Sequence, residues 1–172
     1  FPAATRPMLA AVGFFNADTF LDLAVPNEEG NNVFIRLGDG TGSFAAGTTV
    51  IAGDRIESVA VADLNADGRA DLVTSNRNSN SVSVVVGNGD GTFAPVANYT
   101  TGSAPRQVVV SDFNEDGRPD VVTANSGSAS VSLLLGNGDG SLAVSAPIPL
   151  SGNPYGLATG DLTGDGRSDL LV

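Results

Sequence analysis

The chain has 172 residues, a formal charge of −11, arginine as its only basic residue type and no histidine, cysteine or tryptophan. That balance argues against nucleic acid and anionic membrane surfaces as partners, and the missing cysteines rule out disulfides and thiolate metal sites. No apolar run approaches the roughly 20 residues of a membrane-spanning helix, and the N-terminus lacks the charged-then-apolar pattern of a signal peptide. The sequence therefore reads as soluble and either already mature or cut from something longer.

Twenty-two glycines, with many Asn, Asp, Ser and Thr, punctuate short runs of Val, Leu and Ala, which is the texture of an all-β protein. An internal period governs those runs. Phe14, Asp63, Asp112 and Asp161 follow one another at steps of 49 residues. A second marker keeps the same interval: Gly38 to Phe44, Gly87 to Phe93 and Gly136 to Leu142. Two independent markers with one period define a repeat, with copies at about 1–49, 50–98 and 99–147 and a partial copy at 148–172.

In chain order, the first copy opens with Phe14-Phe15-Asn16-Ala17-Asp18-Thr19-Phe20-Leu21-Asp22, a degenerate loop without a leading acid or a glycine. It is expected to turn the chain without a metal. The second copy carries the pattern in full. Ser58 to Asp63 reads as strand A, Asp63 to Asp71 as an acidic loop and Leu72 to Ser75 as strand B. The turn Asn76 to Asn80 leads to strand C at Val82 to Val86, and the glycine turn 87–91 leads to strand D at Phe93 to Tyr99. The third copy repeats these strands at Val108 to Asp112, Val121 to Ala124, Val131 to Leu135 and Leu142 to Ile148. The partial copy supplies only an A–B pair around Asp161 to Asp169.

Four short strands per repeat predict a β-propeller, each four-stranded blade packing face to face on the next, with about three and a half blades in this chain. Small and β-branched residues in Val59-Ala60-Val61-Ala62 predict that strand A is the most buried on both faces. Phe44, Phe93 and Leu142 are expected between blades. In the acidic loops, oxygen-bearing side chains at positions 1, 3, 5 and 9 with glycine at 6 turn hard ligands toward one point, which suits calcium. Asp, Asn and Gly also simply make good turns, but that explains one loop better than three with the same four acceptor positions. The loops are not EF-hands, because Thr74 and Thr123 stand where a bidentate Glu is needed.

The pattern Asp-x-Asn-x-Asp-Gly-x-x-Asp, recurring beside Gly-Asn-Gly-Asp-Gly-Thr-Phe, resembles the FG-GAP and VCBS repeat family, which includes integrin α-subunit propellers, bacterial secreted proteins and fungal lectins. The resemblance implies a propeller, commonly seven-bladed, with Ca2+ in the loop joining strands A and B. By position in that motif, the side-chain ligands are Asp63, Asn65, Asp67 and Asp71; Asp112, Asn114, Asp116 and Asp120; and Asp161, Thr163, Asp165 and Asp169. Arg69, Arg118 and Arg167 at position 7 offer backbone carbonyls, leaving their guanidinium groups free to cover a neighbouring carboxylate. Three converging carboxylates repel one another without a cation, so calcium is expected to be structural.

If the acidic loops and glycine turns share one rim, the loops that vary between repeats lie on the other. Varied loops on a fixed scaffold are where recognition sits, and Arg55, Arg77, Arg106 and Tyr155 are the candidate ligand-binding residues. The function expected is a non-catalytic, calcium-binding module, extracellular or at the cell surface, that mediates protein or glycan binding or adhesion. A carbohydrate-binding lectin, or an accessory module of a polysaccharide-acting enzyme, is the alternative; two tyrosines and no tryptophan offer little aromatic floor for sugars. Three and a half blades do not close a ring, which predicts a homo-oligomer or a piece of a longer propeller.

Overall fold

The computed structural model describes residues 6–172. It is all-β, and its strands form successive antiparallel sheets. The first contains β1 (Ala11–Gly13), β2 (Asp22–Asn27), β3 (Asn32–Gly38) and β4 (Phe44–Ile51) in that order. The second contains β5 (Ile56–Ala62), β6 (Asp71–Asn76), β7 (Ser81–Val85) and β8 (Ala97–Thr100). The third runs β9 (Pro105–Ser111), β10 (Asp120–Asn125), β11 (Ser130–Gly136) and β12 (Leu142–Val144), with β13 (Ile148–Pro149) also pairing β11. Last comes a two-stranded sheet of β14 (Ala158–Gly160) and β15 (Asp169–Leu171). These are three full blades and a half-blade.

Period-two alternation binds each blade to the next. Leu72 of β6 faces the first blade, in a cluster with Phe15, Ala24, Ile35 and Val50. Its neighbour Val73 faces the third blade, in a cluster with Val108, Val121 and Leu134. Val122, next to Val121, points onward to Leu157 and Leu170 of the half-blade. Every central strand thus belongs to two cores, which is why its sequence is apolar without interruption. Phe93 packs against Phe15 with ring centroids 5.9 Å apart, and Leu142 is buried against the second blade, as their place after the glycine turns suggests. Phe44 is only half-buried and joins no core cluster.

Two expectations are corrected. Strand A is not the most buried strand: all six residues of β6 and of β10 are buried, whereas β5 and β9 are mostly half-buried. The cause is sheet order, because strand A lies on an edge and strand B is flanked on both sides. The fourth strands are also shorter than expected. Phe93 makes only an isolated bridge to Gly87 before β8 begins at Ala97, and Ser145 to Pro147 split β12 from β13. Pro95 and Pro147 lie in these gaps, and neither can donate a ladder hydrogen bond.

The first glycine of each C–D turn has a steric reason. A Cβ on Gly38, Gly87 or Gly136 would lie 2.2, 2.2 and 2.1 Å from the carbonyl oxygens of Leu21, Ala70 and Pro119, just before strand B. Backbone, not a flexible side chain, blocks the space. Gly87→Ala is expected to destabilise the fold by ~1–3 kcal/mol as overpacking, read as a lowered urea midpoint. An unchanged midpoint would refute this account of the turn.

Candidate functional site

The acidic loops sit against the glycine turns, and the residue that joins them is the aspartate at position 9. Asp71 is fully buried; its carboxylate accepts the Leu64 N–H at 2.8 Å through Oδ2 and the Gly87 N–H at 2.8 Å through Oδ1. Asp120 repeats the pair with Phe113 and Gly136 at 3.0 and 2.9 Å. So does Asp22, with Phe15 and Gly38 at 2.9 and 2.9 Å, in the copy that has lost its leading acid. Burial pushes the Asp71 carboxyl up; the N–H groups of Gly87 and Leu64 oppose that rise, and the nearby charges of Asp67 and Asp63 add to it.

Positions 1, 3 and 5 form the mouth of the loop. The Asp67 N–H donates to both Asp63 Oδ1 and Asn65 Oδ1, at 3.1 and 3.2 Å, so those oxygens converge on one point. Asp63 Oδ2 accepts Gly68 N–H at 2.8 Å, and Asp67 Oδ1 accepts Arg69 N–H at 2.9 Å. The loop at Asp112, Asn114 and Asp116 has the same bonds, with Arg118 N–H donating to Asp116. In the last copy Asp161 accepts N–H groups from Gly164, Asp165 and Gly166, which lower its pKa with Gly166 foremost, while Arg167 N–H donates to Asp165. Asp169 accepts from Leu162 and Thr163 through one oxygen.

This donor set fits a hard divalent cation such as calcium: two carboxylates and an amide oxygen in each of the second and third copies, with Thr163 in place of the amide in the last. The expected convergence of three carboxylates is corrected, since no three Asp, Glu, His or Cys side chains gather as a metal-binding group among the described residues. Position 9 is held inward by its two backbone donors. The position-7 guanidiniums do lie over carboxylates: Arg69 is 3.8 Å from Asp67, Arg118 is 3.9 Å from Asp116, and Arg167 reaches Glu115 of the preceding loop at 2.9 Å. All are exposed and contribute little stability.

On the other rim, the structure brings the candidate arginines together around residues the sequence did not single out. Glu57, buried at the start of β5, has Arg106 at 3.1 Å, Arg55 at 3.4 Å and Arg77 at 3.6 Å. Arg55 also pairs with buried Glu28, to which Arg6 extends at 3.2 Å. The Arg106 guanidinium lies 5.1 Å from the Tyr155 ring centroid, so Arg55, Arg77, Arg106 and Tyr155 form one assembly. Glu57 Oε1 and Arg55 Nε remain without a hydrogen-bond partner despite their proximity. A signal was there to read: Glu57, Arg106 and Tyr155 stand at steps of 49 residues, at one position of the repeat. Beside them a shallow cleft of about 230 Å³ is lined by Met8, Glu57, Arg106, Gln107 and Tyr155.

Stacked four-stranded sheets joined through metal-type loops define a β-propeller class of protein. The chain belongs to the FG-GAP-like repeat family, whose model matches residues 15–74, 64–123 and 112–172. Among solved structures it is similar to a periplasmic gluconolactonase of Pseudomonas aeruginosa, at 18% identity and a TM-score of 0.68, covering 99% of this chain and 44% of that one. It is also similar to an Agrocybe aegerita lectin that recognises non-reducing terminal N-acetylglucosamine, at 26% identity and a TM-score of 0.60, covering 92% of this chain and 44% of the lectin. The chain thus spans less than half the length of either structure. A comparison with curated protein sequences finds no match.

Two predictions follow from this geometry. Asp22→Ala orphans two backbone N–H groups, at about 1–3 kcal/mol each, and is expected to lower the unfolding midpoint equally with calcium or chelator. A loss seen only in calcium would contradict the clamp. In the glycine turns, the Thr41, Thr92 and Ser141 hydroxyls and N–H groups hold the Asp39, Asp90 and Asp139 carboxyls below the usual range. A lowered folded pKa gives stability that is complete above the unfolded value near ~3.9 and lost as pH falls through the folded one. NMR titration should place all three midpoints below those of exposed aspartates, and Thr92→Val should raise that of Asp90.

Proposed function

We propose that the chain is a calcium-stabilised, non-catalytic binding module that works outside the cell or at its surface, engaging protein or glycan through the rim opposite its acidic loops. The observation that supports this reading is the Glu57 assembly. Three partly exposed arginines and an exposed tyrosine are fixed in place by one buried carboxylate, so their outward N–H groups and ring meet a partner with little ordering left to do. Calcium, on this reading, tightens the other rim by joining positions 1, 3 and 5 of each loop. Burying apolar blade faces against further blades, in an oligomer or a longer propeller, belongs to the same proposal.

The second reading is a lectin. The similarity to the Agrocybe aegerita protein favours it, and Tyr155 beside Arg106 gives one aromatic face and one set of donors for a sugar. The accessory-module alternative draws no support from the gluconolactonase, whose likeness at 18% identity speaks to the fold alone.

Calcium titration tests the metal half of the proposal. At a hundredfold excess over its dissociation constant each site adds ~2.7 kcal/mol to stability, and Asp63→Ala and Asp112→Ala are each expected to remove one increment. Identical unfolding in calcium and chelator would defeat it. A glycan array and a panel of extracellular matrix proteins test the other half: binding that disappears in Arg106→Ala supports the rim, and binding indifferent to both Arg106→Ala and Arg55→Ala moves the site elsewhere.

A further inference from the structure

The half-blade carries the imprint of a missing partner. In the full blades, strand B is bonded on one side to strand A and on the other to strand C. β15 pairs only with β14 among the described residues. Leu171 is 59% exposed, where its repeat counterparts Val73 and Val122 are 0% and 2%. Leu162 is 64% exposed against 2% for Leu64 and Phe15. Asp169 has Oδ2 in place on the Leu162 N–H, but Oδ1 lacks the glycine N–H that Asp22, Asp71 and Asp120 each accept at 2.8–2.9 Å.

A second part of the imprint lies on the opposite rim. Arg77 and Asn78 N–H groups donate to the Arg55 and Asp54 carbonyls, while the Ser79 hydroxyl accepts from Asp54 N–H. Ser126, Gly127 and Ser128 make the same three bonds to Ala104 and Ser103. One repeat further on, Asn153 and Gly152 present these groups to an open cleft of about 440 Å³, lined also by Leu150, Pro154, Tyr155 and Val172. The cleft is where a B–C turn sits in the preceding blades.

We propose that β14–β15 is a docking site for a β-hairpin of the chain's own C–D type, supplied by a second polypeptide. Its chemistry is fixed by the two occupied copies. The hairpin begins with a Ser-Gly-Ser-like turn whose N–H groups meet the Asn153 and Gly152 carbonyls. Its first strand pairs antiparallel with β15 and places an apolar residue over Leu171. That strand ends on a glycine whose N–H donates to Asp169 Oδ1, and no other residue fits because the preceding carbonyl lies just 2.1–2.2 Å from any Cβ there. Unpaired edge strands capture extended segments in this way, with main-chain bonds giving affinity and side-chain seats giving selectivity.

The probe is an N-acetylated, fluorescently labelled peptide of residues 126–149, titrated with the 172-residue chain and read by anisotropy. It starts after Asn125 because Ser151 stands where Gly102 lies 2.6 Å from the Asn125 side chain, as measured from a Cβ built on that glycine. Saturable one-to-one binding is expected, weakened at least about tenfold by Gly136→Ala in the peptide and comparably by Asp169→Ala in the protein. The peptide substitution leaves the protein untouched, so its effect does not depend on how the half-blade tolerates mutation. No saturable binding, equal binding of a scrambled peptide, or indifference to Gly136→Ala overturns the proposal.

Discussion

The fold depends on one bond pair made in every complete blade: a buried aspartate at the start of strand B, one oxygen holding the A–B loop and the other the C–D turn. A carboxylate placed there without donors would be expelled or neutralised by desolvation. Two backbone N–H groups make it tolerable, and in return it fixes where strand A ends and where strand C ends. The glycine it binds must be a glycine because the chain passes too close for a Cβ. Both repeat markers are therefore halves of a single interaction, which accounts for their common period. The first copy shows that this interaction outlives the metal pattern, since Phe14 and Thr19 have replaced the leading acid and the glycine while Asp22 keeps both its donors.

Much of this was legible in the sequence. The period, the four strands of each blade, the interblade places of Phe93 and Leu142 and the gathering of the acidic loops all follow from alternation and turn chemistry. The inward role of Asp71 was not legible, because an aspartate closing an acidic loop looks the same whether it faces an ion or two amides. The burial order of the strands was misread for a related reason. Val59-Ala60-Val61-Ala62 is as apolar as Leu72-Val73, but apolarity does not reveal which strand is flanked on both sides. The gathering of arginines on Glu57 escaped notice because the acid and its partners come from two repeats, and a charge pair between repeats has no local spacing to betray it.

The two rims are held by different physics. On one, backbone amides and acceptor side chains lie within a few residues of each other, so each loop is an independent local unit. On the other, Arg55 links Glu28 of the first blade to Glu57 of the second, and Arg106 of the third reaches back to Glu57. Desolvated charge pairs of this sort give modest stability and considerable geometric definition. They couple neighbouring blades where the apolar clusters alone would allow small rotations.

The position shared by Met8, Glu57, Arg106 and Tyr155 bears on how such a chain finds its order. Repeats of near-identical sequence can pair out of turn, and misassembly between similar units is a characteristic failure of repeat proteins. Here the same site in successive copies carries a thioether, a carboxylate, a guanidinium and a phenol, so the acid and base attract only when their blades are neighbours. One divergent column gives the otherwise interchangeable blades a sense of sequence, a counting device written into a duplicated chain.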